Sequence, residues 1–168
     1  MKMQQWMIDI SYEDEAFKEA APEKLVHDRL FEILQALDVE NCEFSVSFVS
    51  DQAMQELNNT YRGKNEPTDI LSFVQDDDIE DFTWPEVAFE EDDTPPEPLK
   101  VLGDMVISLD TLKRNAQSFT VSPDEELFRL LIHGVLHLLG NDHASNDASE
   151  PMLLQQEELL SKLGGSKR

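Results

Sequence analysis

Apolar residues recur along the chain with the period of a strand in some segments and the period of a helix in others. Alternation, or short apolar runs rich in branched side chains, predicts four strands at residues 6–10, 43–50, 69–74 and 101–107. Spacing near 3.6 residues predicts helices at 22–37, 51–61, 122–139 and 151–163. The order of these segments indicates a mixed α/β arrangement.

The third predicted helix carries the clearest boundary signals. Ser122 suits the N-cap, Pro123 the first turn, and Glu125 the position that completes a capping box. Gly140 can adopt the left-handed conformation that ends many helices. The other predicted helix starts are marked by Pro22, by Asp51 as a capping residue, and by Pro151.

These elements predict an α/β (α+β) fold, in which several helices pack on a small mixed sheet of about four strands. The 168 residues fit a single domain, 1–168, that can bury a core without staples, so a bound metal is expected to be functional. Cys42 is the only cysteine, which excludes an intrachain disulfide and a cysteine-rich zinc site. With no signal-peptide pattern and no long apolar run, we expect a cytoplasmic protein without a membrane partner.

The charge is strongly acidic and unevenly distributed. The formal net charge is -23, and residues 76–98 contain 11 Asp and Glu with no Lys or Arg. This stretch, between the third and fourth strands, predicts an acidic loop insert, which we expect to be solvated. A regulatory flap that repels nucleic acid is the alternative. A broad basic surface for nucleic acid is excluded, although small patches at 62–64 and 113–114 can still contact a phosphate.

Three of the four histidines lie within 11 residues, at a spacing typical of metal ligands. His133 and His137 share one face of the predicted helix, and the break at Gly140 allows His143 to return toward them. Three imidazoles predict one tetrahedral Zn²⁺ with a fourth position open for hydrolytic chemistry. Separate structural histidines are the alternative, but the clustering favours a metal site; the remaining histidine, His27, is expected to be an ordinary surface residue.

A zinc protease is the nearest rival enzyme, because such proteases also carry two histidines four residues apart. Their general base is a glutamate directly after the first histidine. Gly134 occupies that position here and cannot accept a proton. Asp142, Asp147 and Glu150 lie nearby in sequence, but proximity alone makes them weak substitutes.

A second polar segment links the second helix to the third strand. Arg62 presents a planar charged fork that suits a phosphate, although a cation at a helix C-terminus needs no such explanation. Pro67-Thr68-Asp69, taken alone, is ordinary turn chemistry before a strand. Neither feature by itself predicts a function.

Taken together in order, four motifs resemble one protein family. They are Asn58-x2-Tyr-Arg-x4-Pro-Thr-Asp-Ile-Leu-Ser-Phe73, Leu102-Gly-Asp-Met-Val-Ile107, His133-Gly-Val-Leu-His-Leu-Leu-Gly-x-Asp-His143 and Met152. Over roughly residues 44–160 the chain closely resembles the YbeY family of bacterial endoribonucleases, also described as rRNA maturation factors.

The resemblance implies a zinc-dependent, single-strand-specific endoribonuclease acting in rRNA 3′-end maturation and ribosome quality control. It implies His133, His137 and His143 as metal ligands and Arg62, with His133, as catalytic residues. The implied partners are single-stranded ribosomal RNA and possible ribosomal proteins or assembly factors. Two departures stand out: Asn141 replaces the family's usual tyrosine, and the acidic insert at 76–98 is longer than usual.

The mechanism predicted from these residues is hydrolysis of an RNA phosphodiester at zinc, with Arg62 neutralising charge on the phosphoryl oxygens. A different class of function stays open. An assembly factor with a non-catalytic metal could use its negative charge to contact basic ribosomal proteins.

Overall fold

A computed structural model describes residues 6–75, 100–141 and 150–163. The predicted acidic insert at 76–98 lies outside the described residues, and so does His143. The strands are β1 (Trp6–Tyr12), β2 (Cys42–Val49), β3 (Ile70–Val74) and β4 (Lys100–Ser108). The helices are α1 (Phe17–Ala20), α2 (Glu23–Ala36), α3 (Asp51–Arg62), α4 (Leu109–Phe119), α5 (Pro123–Leu138) and α6 (Pro151–Lys162).

The four strands form one mixed sheet in the order β1-β2-β4-β3. β1, β2 and β4 run parallel, and β3 lies antiparallel to β4 at the edge. Alternation in β2 buries Cys42, Phe44, Val46 and Phe48 on one face of the sheet. The α/β (α+β) fold and the small mixed sheet predicted from the sequence are confirmed.

Helix α5 is the central element of the fold. It contacts α2, α4 and α6 as well as β3 and β4. Its second half is apolar except for His133 and His137, which is typical of a helix enclosed by other elements on its remaining sides. One hydrophobic cluster draws on every described element except α3, so the core is continuous.

Most helix boundaries agree with the sequence patterns. Ser122 caps α5 by accepting a hydrogen bond from the N–H of Glu125, and Pro123 lies in the first turn. The reciprocal half of the capping box is not formed, because the carboxylate of Glu125 is buried beside Arg129 instead.

One predicted cap was wrong. The N-cap of α3 is Ser50, whose hydroxyl accepts from the N–H of Ala53. Asp51 is the first helical residue, and its carboxylate accepts hydrogen bonds from Ser108 and Thr111 at the start of α4. The local pattern fits a cap at either residue, and the position of α4 decides between them.

Two helices were not predicted. α1 is a single turn, too short to show a period. α4 has a narrow apolar stripe formed by Leu109, Leu112 and Ala116, and its cap, Ser108, is also the last residue of β4. No helix in the described residues is long and apolar enough to cross a membrane.

Candidate active site

His133 and His137 lie on consecutive turns of α5 and point to the same side. Their Nε2 atoms are 3.1 Å apart. From Glu125 to Leu138 every residue of the helix is buried except these two histidines, which are half-buried. The central helix therefore opens toward solvent only where the two imidazoles converge.

The ring of His133 is oriented by α6. Its Nδ1 lies 2.6 Å from Oε1 of Gln156. An amide oxygen can only accept a hydrogen bond, so Nδ1 carries the proton and Nε2 keeps its lone pair. That lone pair faces His137.

The pair suits a zinc ion as far as the described residues extend. Zn–N distances near 2.0–2.1 Å in a tetrahedral site place two ligand nitrogens about 3.3 Å apart, close to the 3.1 Å found here. Within residues 6–75, 100–141 and 150–163, no three His, Cys, Asp or Glu form a metal cluster. The predicted third ligand, His143, lies outside these ranges, so the three-histidine site stays a prediction.

The chain turns sharply after the two histidines. Gly140 has φ of 99° and donates its N–H to the carbonyl of His137, while the N–H of Asn141 bonds to the carbonyl of Leu136. These two bonds form a Schellman motif, which confirms the helix end predicted at Gly140. The side chain of Asn141 also donates to the carbonyl of Leu136, so this departure from the family pattern reinforces the turn.

The histidines line a cleft of about 680 Å³ between α3, β3, α4, α5 and α6. Arg62 and Lys64 line it from the end of α3 and the loop that follows. Asp69 contributes from the start of β3 and Phe119 from the end of α4. The two motifs that were far apart in sequence therefore meet in one cleft.

Arg62 is positioned by the end of α3. Gly63 has φ of 69° and ends the helix in the left-handed conformation. The following loop is held against α3, because Asn58 donates to the carbonyl of Glu66 and Gln55 donates to Asn65. Among the described residues, Arg62 forms no ion pair and is exposed, so its charge is available to a ligand.

A family model described as Endoribonuclease YbeY matches residues 7–164. The chain belongs to the YbeY endoribonuclease family. It is 40% identical over 153 residues to the Endoribonuclease YbeY of Treponema denticola, covering 91% of this chain and 90% of that protein. It is 42% identical over 135 residues to that of Borreliella burgdorferi, covering 80% and 82% of the two chains.

A longer alignment joins this YbeY family member to the Endoribonuclease YbeY of Shouchella clausii. The two are 37% identical over 160 residues, which cover 94% of this chain and 96% of that protein. Among solved structures, the solution structure of a Thermotoga maritima protein matches with a TM-score of 0.56 and 27% identity. That match covers 94% of this chain and 89% of the other. The resemblance inferred from the motifs is confirmed.

The position that would carry a protease glutamate does not face the cleft of this YbeY family member. Gly134 is buried against the sheet, next to Met105 and Ile70. A side chain at this position would enter the helix–sheet contact. The zinc-protease alternative therefore lacks both the glutamate and the space for one.

A third cation lines the cleft but is neutralised. Arg129 lies among Glu125, Glu126 and Glu157, with ion-pair distances of 3.7, 3.1 and 2.9 Å respectively. Burial alone would lower the pKa of Arg129, but its hydrogen bond to Glu157 and the three carboxylates raise it above the ordinary value. Arg129 is therefore a structural cation, in contrast to Arg62 and Lys64.

Cys42 is too far from the two histidines' cleft to serve as an alternative ligand there. It lies in the hydrophobic core and does not line the cleft, and burial raises its pKa to about 11. His27 is half-buried and its ring contacts Phe31 at 5.8 Å. The expectation that it is an ordinary histidine of the helix surface is consistent with this position.

Sequence reasoning missed several residues of the cleft. Gln156 was the most informative omission, because it is a polar residue on the otherwise apolar buried stripe of α6 with Met152, Leu159 and Leu160. A buried polar side chain needs a partner. That signal could have pointed to His133, although not to the geometry.

Proposed function

We propose that this chain is a zinc-dependent endoribonuclease that cuts single-stranded RNA during maturation of rRNA 3′ ends and ribosome quality control in the cytoplasm. The observation that carries the proposal is the convergence of two imidazole Nε2 atoms in the cleft that also holds Arg62. Membership of the YbeY endoribonuclease family supports the reaction class.

In this proposal His133 and His137 would hold the zinc ion together with His143. The orientation of His133 supports this role, because its Nε2 lone pair already faces His137. When bound, zinc would supply Lewis-acid chemistry for phosphodiester hydrolysis. The histidines themselves would act as ligands, and Gln156 would keep the ring of His133 in the orientation that this role requires.

The scissile phosphate would bind between the histidines and the end of α3. Arg62 would direct its guanidinium to the non-bridging oxygens, where negative charge grows as the phosphodiester is cleaved. Lys64 lines the same cleft and would bind a neighbouring phosphate of the strand. Neither cation is paired with a carboxylate in the described part of the chain, so both charges can act on RNA.

The cleft also has a feature that suits unpaired RNA. Phe119 lies at the cleft wall, and 54% of the residue is accessible. An aromatic ring can stack on a base only when that base is free of a partner strand, and such stacking stabilises binding by about 1–3 kcal/mol per base. Stacking on Phe119 would therefore favour single-stranded over double-stranded RNA. It would also add binding energy that does not depend on charge, in a protein whose net charge repels nucleic acid.

The test compares wild-type protein with His137→Ala and Arg62→Glu on a single-stranded RNA that contains an rRNA 3′ precursor end. We expect zinc bound by wild type and by Arg62→Glu, RNA cleavage by wild type only, and weakened zinc binding by His137→Ala. Chemical analysis of the cleaved ends adds the direction of attack, since a 2′,3′-cyclic phosphate means attack by the ribose hydroxyl. Arg62→Glu with wild-type cleavage would remove Arg62 from the mechanism.

The rival assembly-factor function is separated by complementation. A folded His137→Ala protein should fail to restore rRNA 3′-end maturation in cells that lack the wild-type chain. Full restoration would mean that cleavage at this site is dispensable and that the protein acts by binding, which its net charge of -23 would direct toward basic partners.

A further inference from the structure

Three side chains connect a buried charge cluster to the ring of His133. Arg129 Nε donates to both carboxylate oxygens of Glu157, at 3.2 and 2.9 Å. Gln156 donates from Nε2 to Oε2 of Glu157 at 3.1 Å. The Oε1 of the same amide lies 2.6 Å from Nδ1 of His133. Together they form a continuous hydrogen-bonded row between α5 and α6.

The chemistry of each group fixes the direction of every bond in this row. A guanidinium only donates and a carboxylate only accepts, so Glu157 must receive an N–H from the amide of Gln156. The amide then has only its oxygen left to face His133. An oxygen there requires a proton on Nδ1, which leaves the lone pair on Nε2.

Both ends of the row are held rigidly. The side chain of Arg129 is 8% exposed, and Nη1 is also bonded to Glu126 at 3.1 Å. Gln156 is 7% exposed, enclosed on the buried stripe of α6. Rotation of the amide by half a turn would put its oxygen against the carboxylate of Glu157. Two acceptors in contact repel each other, so the amide has one stable orientation.

We infer that Gln156 is a positioning residue that, held in one orientation by Glu157 and Arg129, fixes His133 as the Nδ1–H tautomer and presents the Nε2 lone pair to the cleft. The inference rests on the proposed function, in which His133 binds zinc. Zinc binds only an unprotonated nitrogen, so the tautomer with a free Nε2 is the one that this function needs. Partners of this kind for metal-bound histidines typically change metal affinity by about 10- to 100-fold.

The test reads the tautomer directly, in the full chain without zinc. Two-bond ¹H–¹⁵N spectra at about pH 8, where imidazole is neutral, should assign the His133 proton to Nδ1 in wild type. Gln156→Leu keeps the size of the side chain but removes the acceptor, so both tautomers should be populated. Glu157→Ala lets the amide rotate and should give an intermediate mixture.

Zinc affinity supplies the second readout, measured by competition with a chelator of known affinity. Gln156→Leu should raise the zinc dissociation constant about 10- to 100-fold. The exchange of the two residues, Gln156→Glu with Glu157→Gln, restores an acceptor beside His133 and keeps an amide donor facing a carboxylate. It should recover the Nδ1–H tautomer and most of the affinity, which a purely structural role would not explain. Glu158→Ala, on the exposed side of the same helix, is the matched control and should change neither quantity.

An unchanged tautomer and an unchanged zinc affinity in Gln156→Leu would overturn the inference. The two proposals fail separately, because the tautomer is measured without zinc or RNA. A wild-type chain that neither binds zinc nor cleaves RNA would refute the proposed function, and the spectra would still decide the role of Gln156.

Discussion

Gly134 of α5 lies so close to Met105 of β4 that a Cβ added to the glycine would stand 2.8 Å from the Met105 Sδ. The same Cβ would be 3.0 Å from Cδ1 of Ile70. Both separations are shorter than ordinary van der Waals contact. The absence of a side chain at 134 therefore lets the histidine-bearing helix sit directly on the sheet.

This contact predicts that Gly134→Glu cannot convert the site into a zinc protease. The new carboxylate would enter the helix–sheet interface without a partner, and we expect a loss of more than about 3 kcal/mol in the free energy of unfolding. Urea denaturation measures the loss, and a casein assay should detect no hydrolysis. Gly134→Ala is the control. Overpacking should lower its free energy of unfolding by about 1–3 kcal/mol, and the higher helix propensity of alanine should restore about 1 kcal/mol of that loss. Folded Gly134→Glu with chelator-sensitive protease activity would contradict this placement.

Gly103 predicts a second, purely structural sensitivity. It lies at the register shift between β2 and β4, with φ of 135°, and a Cβ there would clash with the carbonyl oxygen of Phe73. Because that obstacle is backbone, Gly103→Ala should destabilise the fold by about 3 kcal/mol or more.

Gly63→Ala is the matched control for Gly103→Ala. Gly63 also has positive φ, but a Cβ added to it would meet no atom within 4 Å. Gly63→Ala should therefore lower the free energy of unfolding only by the strain of a left-handed alanine, about 1–2 kcal/mol. Thermal and urea unfolding measure both variants. Equal losses of stability would mean that the clash with the Phe73 carbonyl oxygen does not destabilise Gly103→Ala.

Sequence patterns predicted the elements whose information is local. Strand β2 alternates strictly, and α5 is preceded by its cap Ser122 and followed by the turn at Gly140, so neighbouring residues were enough to indicate type and limits. The role of Asp51 depended on α4, nearly 60 residues later, and could not be derived from its neighbours.

The candidate site also combines features that are encoded locally with features that depend on packing. His133 and His137 share a helix face through spacing alone, so their convergence followed from the sequence. The contact of Gln156 with His133 joins two helices, and that of Arg129 with Glu157 does the same. Such pairings depend on how the helices pack, which no local pattern encodes.

The carboxylate of Asp51 predicts a pH-dependent part of the stability. Burial alone would raise its pKa, but hydrogen bonds from Thr111, Ser108 and Arg114 and the charge of Arg114 lower it. The stabilisation is therefore complete above the unfolded value of about 3.9 and is lost as pH falls through the lower folded value.

We expect Asp51→Asn to reduce the free energy of unfolding by about 1–2 kcal/mol at neutral pH, after allowing for solvent screening of this half-buried group. The difference from wild type should stay constant down to about pH 5 and shrink below about pH 4. Urea titrations at a series of pH values measure it. Asp9→Asn, at an exposed position of β1, serves as the control. If the difference between Asp51→Asn and wild type grew in acid, the pKa of Asp51 would be raised by folding and not lowered.

The shortage of unpaired cations in the cleft predicts a weak dependence of RNA binding on salt. Arg62 and Lys64 line the cleft without an ion pair in the described part of the chain, whereas Arg129 is neutralised. Each phosphate contact to a single strand contributes about -0.7 to the slope of log affinity against log salt, so two contacts give about -1.4. Fluorescence anisotropy with a labelled single-stranded RNA, in a His137→Ala background that prevents cleavage, measures the slope.

Charge removal inside and outside the cleft should separate the contributions. Lys64→Gln should bring the slope to about -0.7, because one contact is lost. Lys113→Gln removes an equal charge from an exposed position that does not line the cleft, and it should leave the slope unchanged. A wild-type slope steeper than about -3, or a larger effect of Lys113→Gln than of Lys64→Gln, would place the RNA on the surface around Lys113 instead.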